Sequence, residues 1–181
     1  MVGFTTRIFI RTDEPRESTA QYKTHPATVA YGYDDVQDLA HVFQGNSSGY
    51  LYGRQVNPTV NALESQVTLM EKGCQTICFS TGMAAFGTML FALMRSGDHF
   101  VSSSFLFGNT NSLFGSFDVQ GIGVSFVDAT DVKAVESALT EHTKMVFVET
   151  IANPRTQVSD LEAIGALCRA QREIVYIVET P

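Results

Sequence analysis

The sequence predicts an α/β protein: a mostly parallel sheet with helices on both faces. Three observations carry this. From Asn57 onward, short apolar runs of strand length alternate with stretches of helical periodicity. The first of them, Thr76-Ile77-Cys78-Phe79, is a short apolar run suited to a strand covered on both faces. Helix-start signals fall between them at Asn57-Pro58, Thr130-Asp131 and Ser159-Asp160. Such alternation builds parallel sheets with crossover helices.

Residues 1–56 are rich in Thr, Gly, Asp, Asn and Ser and read as an extended N-terminal arm, with one short helix near 34–43. Asn57 is a good N-cap and Pro58 a good first helical residue. Val60, Leu63, Val67 and Met70 then recur at helical spacing up to Gly73, which ends that helix. The run 76–79 (Thr-Ile-Cys-Phe) reads as a buried strand, and 83–94 as a helix apolar nearly all round, hence buried. Further strands are expected at 99–103, 124–127, 145–148 and 174–178. Helices are expected at about 111–117, from 130 or 131 with Val132, Val135 and Leu139 on one face, and after a capping box at Ser159-Asp160-Leu161-Glu162. The division is thus an arm, 1–56, and part of a sheet domain, 57–181.

A chain of 181 residues with 44% hydrophobic and 17% charged content suits one sizeable apolar core. The net charge of −7 argues against nucleic-acid or anionic-membrane surfaces. A phosphate site in such a chain rests on backbone N–H groups and a few placed cations. Cys74, Cys78 and Cys168 read as buried free thiols of a cytoplasmic protein; Cys74-x3-Cys78 lacks the His or second Cys pair a metal clip requires. The N-terminus has no apolar signal core, and no apolar run reaches the roughly twenty residues of a membrane span.

Ser80, Thr81 and Gly82 stand where the 76–79 run meets the apolar helix. A helix starting there aims free N–H groups and its positive dipole end at an anion; a plain connection is the other reading of the same residues. Four loops fall at expected strand ends, where ligands of parallel sheets sit: 80–83, 104–110, 149–154 and 179–181. Upstream, Arg54 can make two charge-assisted bonds to a phosphate, and Tyr52 can add a hydroxyl. Neither a G-x-G-x-x-G nor a G-x4-G-K-[ST] fingerprint is present, which argues against a nucleotide-binding oxidoreductase.

Taken in order, Tyr52-Gly53-Arg54, Asn57-Pro58-Thr59, Ser80-Thr81-Gly82-Met83-Ala84-Ala85, Leu106-Phe107-Gly108-Asn109-Thr110 and Glu149-Thr150-Ile151-Ala152-Asn153-Pro154 resemble one family. It is that of the pyridoxal-phosphate enzymes of cysteine and methionine metabolism (transsulfuration). The likeness runs from about residue 24 to 178 and is greatest to O-succinylhomoserine and O-acetylhomoserine sulfhydrylases. It implies the large domain of a fold-type-I pyridoxal-phosphate enzyme, incomplete here, and a homodimer or homotetramer. It further implies that Gly82 and Met83 bind the cofactor phosphate through backbone N–H groups. Tyr52 and Arg54 would reach the phosphate in a neighbouring subunit. Phe107 would stack on the pyridine ring, where many members have Tyr, and Asn153 would lie near the phenolic oxygen and the substrate carboxylate.

The pattern breaks near residue 179. The family has Val-Asp-Asn-Thr there, its Asp holding the pyridinium nitrogen; this chain has Val178-Glu179-Thr180-Pro181, with a side chain one methylene longer. None of Lys23, Lys72, Lys133 and Lys144 matches the family's Schiff-base lysine, so no catalytic residue is assigned. The resemblance therefore implies the N-terminal portion of an enzyme converting O-acylhomoserine and sulfide to homocysteine in methionine biosynthesis, silent alone, with pyridoxal 5'-phosphate held weakly or not at all. A non-catalytic subunit pairing with a full-length homologue is the second reading. A portion of a cystathionine synthase or lyase, or of a methionine γ-lyase, is the third.

Overall fold

The computed structural model describes residues 28–171 and 173–180. The chain divides into two compact units, Met1–Phe79 and Ser80–Pro181. The arm expected before residue 28 lies outside the described residues.

In the first unit, helix α1 (Val36–Phe43) starts at Asp35, whose carboxylate accepts from the Gln37 N–H at 2.7 Å. Helix α2 (Pro58–Glu71) starts as its sequence dictates: the Asn57 side chain accepts from the Thr59 N–H at 2.9 Å, and Pro58 occupies the first turn. Its end differs from expectation. Lys72 takes the left-handed conformation (φ 54°), and the Gly73 N–H closes the turn on the Thr68 carbonyl.

The strand expected at 76–79 is not formed, and Ile77 is 67% exposed. A strand requires a neighbour to bond with, and none of the strands among the described residues pairs with this segment. The Cys78 N–H instead donates to the Glu64 carboxylate at 2.9 Å. Of the three thiols expected to be buried, Cys168 is buried, Cys78 half-buried and Cys74 exposed.

The second unit begins with helix α3 (Gly82–Leu93), capped by Thr81. There follow β1 (His99–Ser103), α4 (Gly108–Ser116) with a 3-10 turn (Phe117–Gln120), β2 (Gly123–Val127), α5 (Val132–Ser137), β3 (Thr143–Glu149), α6 (Leu161–Ala170) and β4 (Val175–Glu179). The four strands form one parallel sheet in the order β2-β1-β3-β4. Alternate residues of each strand enter opposite cores, as the pleat requires. Phe100, Met145 and Phe147 pack with Leu90 of α3 and Phe114 of α4. Val101, Val146 and Val148 pack with Val135 of α5 and with Ile164 and Cys168 of α6. Helices thus cover both faces.

Two local expectations are corrected. Helix α3 is apolar all round, yet Leu90 is its one buried residue and Phe91 is 63% exposed. The capping box at 159–162 does not form: Asp160 is the N-cap, accepting from the Ala163 N–H at 3.0 Å, and the Ser159 hydroxyl donates to the Glu149 carbonyl at 2.9 Å. Among the described residues no helix is long and apolar enough to cross a membrane, and no cluster of metal-ligating side chains occurs.

Candidate functional site

The strand order locates the site. From β1 the chain moves by way of α4 to β2 at one side; from β3 it moves by way of α6 to β4 at the other. The loops leaving β1 and β3 therefore part in opposite directions and open a crevice at the C-terminal ends of these neighbouring strands. A cavity of about 380 Å³ lies there, lined by Thr81, Gly82, Met83, Phe86, Phe107, Asn109, Thr110, Glu149, Ile151, Asn153 and Glu179. All four loops singled out in the sequence meet in it.

The turn before α3 forms one wall. The Thr81 hydroxyl accepts from the Ala84 N–H at 3.1 Å, and the Thr81 carbonyl accepts from the Ala85 N–H. These bonds leave the N–H groups of Gly82 and Met83 at the mouth of a twelve-residue helix without a protein acceptor among the described residues. A Cβ on Gly82 would meet no protein atom within 4 Å. The fold itself therefore does not demand glycine here; a ligand drawn up against that amide would.

Phe107 precedes α4, is 48% exposed and lines the same cavity. Its backbone is held by a residue the sequence reading did not select. Glu149, only 4% exposed, accepts the Phe107 N–H on Oε1 at 3.0 Å and the Asn153 N–H on Oε2 at 3.2 Å. One carboxylate thus ties the two loops of the crevice together. The signal in the sequence is a charge ending the apolar run Met145-Val146-Phe147-Val148, since a charge in such a place requires partners.

Glu179 is the register partner of Glu149 on the next strand. Burial, and secondarily the negative charge of Glu149, push its carboxyl above the ordinary carboxylate range. The site therefore has positive potential at the α3 mouth, an exposed ring, and a carboxylate of raised basicity farther along. Tyr52 and Arg54 lie in the first unit, where the Arg54 guanidinium stands 5.0 Å over the Tyr52 ring. No lysine among the described residues lines the cavity: Lys72 caps α2, Lys133 lies in α5, and Lys144 pairs with Glu173 at 2.9 Å.

Residues 6–180 match the sequence profile of the family described as Cys/Met metabolism PLP-dependent enzyme. The L-methionine gamma-lyase of Fusobacterium nucleatum subsp. nucleatum is 31% identical over 153 residues, covering 84% of this chain and 39% of that protein. The homocysteine synthase of Schizosaccharomyces pombe is 34% identical over 145 residues, covering 80% of this chain and 34% of that one. A Campylobacter jejuni structure assigned as an O-acetylhomoserine (thiol)-lyase superposes with a TM-score of 0.88 at 25% identity. The superposition covers 98% of this chain and 44% of that one, which carries N'-pyridoxyl-lysine-5'-monophosphate. The chain thus spans well under half the length of these proteins, and its parallel sheet is the matching part of their fold.

Proposed function

That this chain belongs to the Cys/Met metabolism family of pyridoxal-phosphate-dependent enzymes is the premise from which we propose its role. It forms the phosphate-binding wall of a site that converts O-acylhomoserine and sulfide to homocysteine. The observation that carries the reading is the meeting of Gly82, Met83, Phe107, Asn153 and Glu179 around one cavity at the β1–β3 crevice.

These residues fit the cofactor by their donor chemistry. The Gly82 and Met83 N–H groups are unclaimed donors at the positive end of α3, suited to a phosphate. The exposed Phe107 ring offers a face for stacking on a heteroaromatic ring. Glu179, with its raised proton affinity, suits a protonated ring nitrogen, which would in turn restore its negative charge. The Asn153 side chain offers an amide toward a phenolic oxygen. When bound, pyridoxal phosphate supplies an electron sink for charge developing on substrate carbon.

The chain's own residues bind, orient and hold protons. Glu149 fixes the Phe107 and Asn153 backbones, so ring and amide are set before any ligand arrives. Phe107 presents no hydroxyl, so it can cover a ring but not move a proton. No lysine among the described residues lines the cavity, and we infer that this chain alone does not turn over substrate. Tyr52 and Arg54 are proposed to reach the phosphate in a neighbouring copy of the chain, within a homodimer or homotetramer.

The test is a titration of the 15N-labelled chain with pyridoxal 5'-phosphate. Chemical-shift changes at Gly82, Met83 and Phe107 are expected; a saturating titration that leaves those amides unmoved sinks the reading.

A further inference from the structure

A second cavity, of about 300 Å³, adjoins the crevice and is lined by Ser104, Phe105, Leu106, Ala152, Asn153, Pro154 and Arg155. Asn153 lines both cavities, while the consecutive residues Leu106 and Phe107 line one each. The two spaces thus meet at Asn153, on the side of the crevice formed by the loops after β1 and β3.

The lining has a definite chemistry. Leu106 and Ala152 are buried and apolar, and Pro154 adds further apolar surface. The polar side chains are those of Ser104, Asn153 and Arg155, of which only Arg155 carries a charge. Arg155 is exposed and makes no ion pair or hydrogen bond to any described residue, so its guanidinium is free to take an anion at the rim of the cavity. The Ser104 hydroxyl is likewise uncommitted; only its backbone N–H is used, on the Val127 carbonyl. At roughly 30 Å³ per water, the cavity holds about ten waters, far more than a methyl group fills.

We infer that this cavity receives the leaving acyl arm of the substrate, and that the arm ends in a carboxylate held by Arg155 and Ser104. The inference rests on the homoserine-ester reading above and narrows it to esters of a short dicarboxylic acid of the succinyl type, in preference to acetyl. In the replacement, the Cγ–O bond of the ester breaks with its electron pair leaving on the carboxylate oxygen, and sulfide forms the Cγ–S bond. Arg155 touches neither bond. It is a specificity-determining residue whose planar fork matches a carboxylate.

The experiment uses the 15N-labelled 181-residue chain titrated separately with O-succinyl-L-homoserine, O-acetyl-L-homoserine, inorganic phosphate and pyridoxal 5'-phosphate. The succinyl ester is expected to shift the amides of Ser104 and Phe105 and the Arg155 side-chain N–H, binding about ten-fold more tightly than the acetyl ester. R155Q should abolish that preference, R155K should retain part of it, and S104A should weaken it without removing it. Equal affinity for the two esters, binding of neither, or a preference that survives R155Q overturns the inference. So does inorganic phosphate displacing the succinyl ester from Arg155 at lower concentration. The cofactor arm reads independently: shifts at Gly82 and Met83 should persist in R155Q, and their absence from the unmodified chain overturns the cofactor reading whatever the esters do.

Discussion

Glu149 offers the sharpest test of how the site is held together. Its carboxylate is 4% exposed and accepts two backbone N–H groups, Phe107 at 3.0 Å and Asn153 at 3.2 Å. Hydrogen bonds to an ionised group contribute about 1.5 to 3 kcal/mol each. E149A should thus destabilise the second unit by about 3 to 5 kcal/mol, because both bonds are lost and two half-buried donors are left unpaired. E149Q keeps one acceptor oxygen but turns an NH2 toward the other donor, so its loss should be about half as large. The first assay is denaturant unfolding; the second is hydrogen exchange at Phe107 and Asn153, which should quicken in both variants. A third readout is specific to charge. Glu149 is the secondary cause of the raised Glu179 pKa and burial the main one. In E149Q the Glu179 carboxyl should therefore move down yet stay above the ordinary range. Loss of less than about 1 kcal/mol in E149A, with exchange at both amides unchanged, would refute the claim that this carboxylate ties the crevice loops.

Three further outcomes follow. His99 spans three strands, with Nδ1 on the Thr143 hydroxyl and Nε2 on the Ser125 hydroxyl, both at 2.9 Å; burial, then the nearby His142, lower its pKa. Its neutral form therefore stabilises the fold fully above about pH 6.5, the unfolded value. That contribution is lost as pH falls through the lower folded pKa, so the urea midpoint should drop between pH 7 and 5, and less steeply in H99Q. Leu90, with no exposed surface, fills the core between α3 and the sheet, so L90A should cost about 3 to 5 kcal/mol by calorimetry or denaturant. The Cβ of Gly82→Ala would meet no protein atom within 4 Å, so stability should stay within about 1 kcal/mol while affinity for pyridoxal 5'-phosphate, followed by absorbance, falls at least ten-fold.

What the sequence made legible was local. Strands β1 to β4 were readable because each centres on a short run rich in Val, Phe, Ile or Met, set between helix signals. The caps at Asn57 and Asp131 were readable because a cap needs only its own side chain and the next turn. The 76–79 run has the same composition as those strands but no neighbour among the described residues, and no residue can be a ladder by itself. Ser159 shows the same limit. Its hydroxyl had a nearby N–H to satisfy, yet it bonds the Glu149 carbonyl ten residues away, leaving the cap to Asp160. The turn at Gly82 was legible as a helix start able to face an anion; Met83, Phe107, Asn153 and Glu179 were found through the resemblance, and strand order brings the loops after β1 and β3 together. Glu149 escaped because one partner, Phe107, lies 42 residues distant; from the sequence it was a carboxylate closing a hydrophobic run.

That carboxylate also bears on why the crevice can be set without a ligand. A topological switch point only guarantees that two loops part; it does not fix how far. Here the α4 entry has no side-chain cap of its own, since Phe107 supplies none. Its N–H is bound instead by the strand across the gap, and the same side chain holds the Asn153 amide. The separation of the ring of Phe107 from Asn153 is therefore governed by a group on β3, one of the most deeply buried strands of the sheet. Mobility in either loop must first break a charge-assisted bond to that strand. The α3 mouth, by contrast, is fixed by Thr81 alone through bonds within its own turn. The two walls are thus independently secured, and a substitution at Thr81 should loosen anion binding without disturbing the Phe107–Asn153 pair.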